Sequence, residues 1–215
     1  MQNSKSLIFI LHYAFLIFNF MRVVIVKYNA GNVESVKNAL RRLKVEPVVS
    51  DDADVLLSAD RVIFPGVGEA SSAMNYLRAR NLDAVIKSLT QPVFGICLGM
   101  QLLCESSDEN ATECLGILLY RVRRFESDDL KIPQMGWNNI FDLKSELLAG
   151  IEENSHVYFV HSYYVETGTE TVATCDYGVN FSAAVRHKNF YAAQFHTEKS
   201  GTVGERILEN FLTKI

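Results

Sequence analysis

Disulfide-forming cysteine and basic charge are both scarce in this 215-residue chain, and each scarcity excludes a class of protein. The four cysteines are too scattered for a disulfide scaffold. None stands in a CxxC pair or at metal-ligand spacing from a histidine, so we expect no metal and no cofactor. A formal charge of −4 leaves no basic excess to neutralise phosphates, which argues against a nucleic-acid partner. We therefore expect a cytoplasmic protein that carries a working thiol.

A hydrophobic run long enough to cross a membrane comfortably is also lacking. Leu7 to Phe20 is almost wholly apolar, but it is short for a span and Asn19 interrupts it. No small-residue cleavage site follows, and Met21 opens directly into an apolar strand pattern. We interpret residues 1–20 as a mis-assigned start or a disordered extension, and residues 21–215 as a single domain with no membrane partner.

The first half of that domain alternates apolar β-branched runs with helical patterns. The predicted strands are Val23–Val26, Val45–Val49, Arg61–Phe64 and Val93–Ile96. The predicted helices are Asn32–Leu43, Ala70–Leu89 (largely helical) and one that begins over Leu98–Cys104. Near-continuous apolar strands between helices indicate a parallel sheet covered on both faces.

The second half is richer in strands with short connections. Strand-like runs lie at Gly116–Phe125, Val157–Val165, Thr171–Cys175, Phe181–Arg186 and Tyr191–Phe195. A helix is predicted over Val203–Leu212, and the polar run Glu105–Thr112 is interpreted as a surface loop. The predicted fold class is therefore α/β. It has a mostly parallel central sheet flanked by helices and an added, partly antiparallel sheet.

The strongest local signal for chemistry is a strand that runs into Gly95-x-Cys97-x-Gly99, with a helix directly after it. This is the nucleophile-elbow pattern, with cysteine where many hydrolases carry serine. The flanking glycines permit a sharp turn, and the helix N-terminus favours the thiolate. The alternative is a buried structural cysteine beside a tight turn.

A thiolate nucleophile needs an acid–base partner, and His196 is the best candidate among five histidines. It ends the predicted strand Tyr191–Phe195, and Glu198 follows two positions later. Residues two apart share a face in extended geometry, so the carboxylate can orient the imidazole toward the sulfur. An isolated His-x-Glu is more often part of a solvated loop, so this interpretation depends on the elbow.

The segment Phe64-Pro-Gly-Val-Gly68 closes a strand predicted to lie beside the nucleophile strand. Its glycines leave backbone N–H groups free to face an anion. The amide of Leu98 together with that of Gly66 or Val67 would make a two-donor oxyanion hole. The alternative is an ordinary turn.

At this point the sequence resembles the class I glutamine amidotransferases. The stretches Gly95-Ile-Cys-Leu-Gly-Met-Gln101 and Gln194-Phe-His-Thr-Glu198 match motifs of that class. Within that class, three further stretches resemble the family of glutaminase subunits of imidazole glycerol phosphate synthase. They are Tyr28-Asn-Ala-Gly-Asn32, Pro133-Gln-Met-Gly-Trp-Asn138 and Tyr158-Phe-Val-His-Ser-Tyr163. The resemblance covers nearly all of residues 21–215 and implies a flavodoxin-like fold.

The resemblance implies that Cys97 attacks glutamine, that His196 protonates the departing ammonia and that Glu198 holds the imidazole. By match, the glutamine-binding positions are Gly68, Gln101, Ser162 and Tyr163, and the interface or ammonia-exit positions are Asn32, Trp137, Tyr158 and Lys199. Each of these assignments has a structural alternative. Gln101 could instead lie on the polar face of a helix, and Ser162 and Tyr163 could belong to an edge strand. Trp137 could be an aromatic residue of the core. The implied partner is a (β/α)₈-barrel cyclase, joined as a heterodimer. It makes imidazole glycerol phosphate and aminoimidazole carboxamide ribotide in histidine biosynthesis.

Two departures from the family pattern leave the nucleophile untouched. Thr197 stands where the family usually has proline, which restores an N–H and relaxes the backbone of the triad. Lys27 stands where an acidic residue is usual, so contacts with the partner are open to rewiring there. The competing functions are a related amidotransferase that serves another acceptor, such as a surface sugar, and a catalytically silent regulatory partner. A cysteine peptidase fits less well because no extended cleft is signalled.

Overall fold

The computed structural model describes residues 21–29 and 31–215, so the predicted extension over residues 1–20 lies outside the described residues. A seven-stranded sheet forms the centre of the molecule. Its strands are β1 (Val23–Val26), β2 (Val48–Ser50), β3 (Arg61–Phe64), β4 (Val93–Ile96), β11 (Thr171–Asp176), β12 (Asn180–His187) and β13 (Phe190–Ala193). They lie in the order β11-β12-β13-β4-β3-β1-β2. The pairs from β13 to β2 are parallel and the two pairs at the β11 end are antiparallel.

Helices cover both faces of this sheet, as the apolar pattern of β1 requires. Val23 and Ile25 pack into one core cluster, and Val24 and Val26 pack into the other. Among the described residues the helices are α1 (Val33–Arg42), α2 (Ala53–Leu57), α3 (Ala70–Ala79), α4 (Leu82–Ser88), α5 (Leu98–Leu103) and α6 (Gly201–Thr213). Helices α1 and α6 contribute to the first cluster, and α2 to α5 contribute to the second. The predicted α/β class with a parallel sheet covered on both faces is confirmed.

Two small sheets make up the added, partly antiparallel part. One contains β5 (Ser106–Ser107), β6 (Thr112–Glu113), β7 (Arg121–Arg124) and β10 (Tyr163–Val165), in the order β10-β7-β5-β6. The other is an antiparallel pair of β8 (Gln134–Ile140) and β9 (Ser155–His161), which aligns Trp137 with Tyr158. No helix of the described ranges is long and apolar enough to cross a membrane.

Several predicted bounds were wrong, and each error has a local cause. Strand β2 begins at Val48 rather than Val45, because the Val45 N–H donates to the Leu40 carbonyl at the end of α1 and Pro47 has no N–H. The predicted helix Ala70–Leu89 is two helices, because Asn81 has left-handed backbone (φ 56°) and starts α4.

The polar run Glu105–Thr112 was wrongly predicted to be only a surface loop. It holds β5 and a 3₁₀ turn at Glu109–Ala111. The predicted strand Gly116–Phe125 is reduced to β7, because the N–H groups of residues 116–118 bind carbonyls at the end of α5 instead. Strand β8 was missed, since its asparagines and internal Gly136 hide the strand pattern.

Candidate active site

The elbow places Cys97 between β4 and α5 with a strained backbone, φ 54° and ψ −109°. Its N–H donates to the Ala193 carbonyl at 2.8 Å, which ties the turn to the neighbouring strand β13. The flanking glycine is needed for space, because a Cβ on Gly99 would lie 1.8 Å from the Phe64 carbonyl oxygen. The prediction of a sharp turn is confirmed, with the left-handed residue being Cys97 itself and the glycine allowing close approach.

Cys97 differs from the other three thiols of the chain in its surroundings. Its Sγ lies 3.7 Å from the side-chain nitrogen of Gln194 and 3.8 Å from the Val160 carbonyl. Burial raises the pKa of Cys114 and of Cys175 to about 12, and burial likewise raises the pKa of Cys104. Those three cysteines therefore stay protonated and inert, which leaves Cys97 as the candidate nucleophile.

His196 and Glu198 form a buried pair beside the nucleophile. Glu198 Oε1 lies 2.7 Å from His196 Nδ1, and the side chains are 0% and 1% exposed, respectively. Burial lowers the pKa of His196, but its hydrogen bonds with Cys97 and Glu198 outweigh this effect and raise the pKa to about 10. With this pKa the imidazole carries a proton at neutral pH, which suits a general acid beside Cys97.

The side chains of His196 and Glu198 do meet, but not because they share one face of an extended strand, as was predicted. Strand β13 ends at Ala193, and Thr197–Lys199 form a 3₁₀ turn rather than extended backbone. The turn is anchored because the His196 N–H donates to the Tyr158 carbonyl at 2.9 Å and Ser200 Oγ donates to the His196 carbonyl at 2.6 Å. Tertiary contacts, not strand periodicity, bring the carboxylate to the imidazole.

The predicted two-donor oxyanion hole is not formed in this structure. The Leu98 N–H donates to the Gly66 carbonyl at 3.2 Å, so one predicted donor is occupied. A trans peptide points its C=O and N–H in opposite directions, so the N–H of Val67 faces away from Leu98. The loop Pro65–Gly68, named here the oxyanion loop, is held there by Tyr28, whose hydroxyl donates to the Pro65 carbonyl at 2.5 Å. Rotation of the Gly66–Val67 peptide would release the Leu98 N–H and present the Val67 N–H.

A cavity of about 270 Å³ opens beside the sulfur. Its volume lies just below the range of about 300–1,000 Å³ of sites for drug-sized ligands, so it suits a smaller molecule such as an amino acid. It is lined by Val67, Gly68, Cys97, Leu98, Gln101, Glu109, Pro133, Val160, His161, Ser162 and Tyr163. The four residues predicted from the resemblance to bind glutamine are therefore brought together around the candidate nucleophile.

Gln101 is fixed in one orientation at the cavity wall. Its Nε2 donates to the Tyr163 carbonyl and to Gln194 Oε1, both at 2.9 Å. Its Oε1 is left as an acceptor at a cavity that Gln101 itself lines. The polar-helix-face alternative does not fit a side chain that is only 5% exposed.

His161, which the sequence left as an ordinary strand histidine, supports the same wall. Its Nδ1 lies 2.8 Å from the Tyr163 carbonyl, and its Nε2 lies 2.9 Å from Gln134 Oε1. Burial lowers the pKa of His161 to about 4, so the ring is neutral and donates from Nδ1. Its Nε2 must then accept, so the Gln134 amide fits when it is turned over to place its nitrogen, otherwise unpartnered among the described residues, toward the ring.

Glu109 is a charged residue of the cavity that sequence reasoning missed. It follows Ser106–Ser107 in the segment interpreted as a loop, and no sequence pattern marks it. One carboxylate oxygen accepts from the Ala70 N–H at the start of α3, at 2.7 Å. Burial raises the pKa of this carboxyl group, but the hydrogen bond favours its charged form, so it can supply a negative charge to the cavity.

The four predicted interface residues lie in different environments. Trp137 is 56% exposed and makes an edge-on contact with Tyr158, with ring centroids 5.9 Å apart, so the core alternative for Trp137 is wrong. Lys199 is exposed. Asn32 instead turns its side chain inward, onto Glu198.

Comparison with known proteins identifies the family of the chain. The family model described as "Glutamine amidotransferase class-I" matches residues 24–215. The chain belongs to the class I glutamine amidotransferases.

Among curated relatives, the chain is 55% identical to the imidazole glycerol phosphate synthase subunit HisH of Bacteroides thetaiotaomicron and 47% identical to that of Escherichia coli K12. Both matches cover 89% of this chain and 99% of the relative. Among solved structures, a glutamine amidotransferase superposes with a TM-score of 0.69 at 20% identity, over 90% of this chain and 99% of the other. A glutamine amidotransferase of Thermotoga maritima gives a TM-score of 0.61 at 17% identity, over 89% of this chain and 82% of the other. These structural matches support the fold alone.

Proposed function

We propose that this chain is the glutaminase subunit of an imidazole glycerol phosphate synthase and supplies ammonia to a cyclase partner in histidine biosynthesis. The observation that carries the proposal is the amino-acid-sized cavity at Cys97, with the buried pair of His196 and Glu198 beside the same sulfur. The identity of 55% to a HisH subunit over nearly its whole length supports the particular acceptor.

In the proposed reaction the Cys97 thiolate attacks the carboxamide carbon of glutamine, and the carbonyl oxygen becomes an oxyanion. Protonated His196 gives its proton to the amide nitrogen, the C–N bond breaks and ammonia leaves a γ-glutamyl thioester on the sulfur. The now neutral imidazole takes a proton from water, which attacks the thioester and releases glutamate. Glu198 orients the ring and stabilises its charged form throughout.

The cavity offers complementary groups for the amino-acid end of glutamine. The free Oε1 of Gln101 and the carboxylate of Glu109 are acceptors for the α-ammonium group. Gly68, which has φ 130°, and the backbone around Ser162 and Tyr163 line the same cavity and suit the α-carboxylate. These roles are proposals for the residues that line the cavity.

We further propose that the cyclase partner, a (β/α)₈ barrel in a heterodimer, docks over the β8–β9 pair. Met135 and Trp137 are 62% and 56% exposed on that pair, and exposed aromatic and methionine side chains are typical of interface centres. The Tyr158 carbonyl accepts from the His196 N–H, and Lys199 ends the turn Thr197–Lys199, named here the catalytic turn, so ammonia leaving Cys97 would emerge at this surface. The buried, unpaired thiols agree with the proposed cytoplasmic location.

The test is the Cys97→Ser variant of the full chain, assayed together with the cyclase partner. We expect glutamine-dependent synthesis to be lost while synthesis from ammonium salts at high pH remains, because only the ammonia source has been removed. Glutamine hydrolysis that survives in the variant contradicts the proposed nucleophile. A wild-type chain that hydrolyses glutamine but does not support this cyclase favours a related amidotransferase, and one without hydrolysis favours a silent regulatory partner.

A further inference from the structure

The side chain of Asn32 makes an unexpected contact for a residue at the start of a helix. An asparagine at the N-cap usually accepts a hydrogen bond from a backbone N–H of the first turn. Asn32 precedes α1 but makes no such bond, and its backbone is left-handed, with φ 75°. Its Nδ2 instead donates to Glu198 Oε1 and lies 3.4 Å from His196 Nδ1.

Glu198 needs this donor because its carboxylate is out of contact with water. Oε1 accepts from His196 and from Asn32, whereas Oε2 has no hydrogen-bond partner among the described residues. A buried carboxylate is costly unless its oxygens are hydrogen-bonded, and one with few bonds is free to rotate away from the imidazole. Asn32 thus provides the bond to Glu198 that does not come from the catalytic pair itself.

We propose that Asn32 is a positioning residue for the glutaminase reaction, in addition to any contact with the partner. Its amide holds the Glu198 carboxylate against His196 and so keeps the imidazole aimed at Cys97. The left-handed backbone that directs the side chain inward is one that asparagine tolerates better than most residues. This inference rests on the proposed function, since it assigns Asn32 a part in the same chemistry.

Two variants and one matched control test the assignment, all in the full chain with saturating partner. Asn32→Ala removes the donor. Asn32→Asp is nearly the same size but places a second carboxylate beside Glu198. Asn29→Ala is the control, because Asn29 lies in the same loop but bonds Ser72 (Oγ, 2.9 Å), away from the triad. Thermal melts and partner titrations check that each variant is folded and bound.

For Asn32→Ala we expect kcat for glutamine to fall about 10- to 100-fold, the range of a lost hydrogen bond to a charged group, with KM within about twofold. KM should change little because Asn32 does not line the cavity. Asn29→Ala should stay within about twofold in both constants.

The pH dependence of Asn32→Asp distinguishes a positioning role from a purely structural one, which would not make the activity depend on pH in this way. At high pH two carboxylates repel each other and the variant should be slower than Asn32→Ala. At lower pH the pair takes up a proton, which restores a donor toward Glu198, so the activity ratio of Asn32→Asp to Asn32→Ala should rise. The ionisable groups near this cluster, Tyr28, Cys97, His161 and His196, are present in both variants, so a difference between the two pH profiles arises from the carboxylate at position 32 and its effect on these neighbours.

An unchanged kcat in Asn32→Ala, a rise in KM alone, or a ratio that does not depend on pH would each overturn the assignment. Failure of the proposed function looks different, because the wild-type complex itself would then show no glutamine hydrolysis.

Discussion

The two sides of the Cys97 sulfur differ in how far they are assembled. On the acid–base side, His196 and Glu198 are buried and 2.7 Å apart. On the oxyanion side, the Leu98 N–H is occupied by the Gly66 carbonyl, and the Val67 amide faces away. The candidate nucleophile therefore lies beside a buried acid–base pair, while the predicted oxyanion donors are not presented to it.

The physical basis of this difference is the cost of movement on each side. The catalytic turn packs tightly under α6, because a Cβ on Gly204 would lie 1.9 Å from the Thr197 carbonyl oxygen. The oxyanion loop contains two glycines, and Val67 is 37% exposed, so this end of the loop is free to move. Gly66 is buried against Tyr28, because a Cβ there would lie 2.2 Å from the Tyr28 hydroxyl, so Tyr28 must release the loop before the Gly66–Val67 peptide can turn. We infer that the rate of the isolated chain is controlled by the oxyanion loop while the triad stays in place. A partner that captures ammonia directly gives such control a purpose.

The largest effect should come from breaking the assembled side. His196→Ala should lower kcat on the order of 10⁶-fold, and Glu198→Gln should lower it less, on the order of 10⁴-fold, as in other triads. Orientation of the ring partly survives without the carboxylate charge. Steady-state glutamate release by the complex measures both. Equal losses in the two variants would mean that Glu198 does more than orient the imidazole.

The next effect concerns the unassembled side, which the partner should complete. Glutamine hydrolysis should rise by about 10²–10³ per recovered oxyanion donor when partner and an acceptor analogue are added. The measurement compares the chain alone, with partner, and with partner plus analogue. A chain that alone matches the complex would show that the oxyanion loop does not limit the reaction.

A smaller effect is expected from Tyr28→Phe, which removes the bond to the Pro65 carbonyl but retains the ring contact with Phe64. Loss of one hydrogen bond of about 0.5–1.5 kcal/mol should shift the loop toward its other conformation. We expect the basal rate of the isolated chain to rise about two- to tenfold, with little change in the fully activated complex. A fall in the basal rate would mean that Tyr28 supports the active loop instead.

The smallest effect is expected at Thr197, the departure beside the triad. Its hydroxyl is buried without a hydrogen-bond partner in the described part of the chain, and proline suits the first position of a helical turn. Thr197→Pro should leave kcat within about twofold and stabilise the fold by about 0.4–1 kcal/mol, provided that the backbone is compatible. Thermal unfolding measures the gain, with Thr197→Val as a control for the hydroxyl alone. A large loss of activity would reveal a role for the threonine.

Local patterns were sufficient for the parts of the molecule whose causes are local. The alternation of apolar strands and helices predicted the parallel sheet, since the apolar runs of β1, β3 and β4 are buried on both faces. The elbow around Cys97 was predictable because a strand, a tight turn and a helix follow one another directly. The resemblance supplied the cavity residues Gln101, Ser162 and Tyr163, which spacing by itself would not have joined.

Tertiary structure alone decided the contacts that cross the chain. Asn32 meets His196 across 164 positions, and Glu109 enters the cavity from a segment without a distinctive pattern. The orientation of the Gly66–Val67 peptide is also tertiary, because glycine tolerates either orientation and the neighbours Tyr28 and Leu98 select one. Sequence thus determined which groups can do the chemistry. Packing between distant segments decided which of them meet and which amide is turned away.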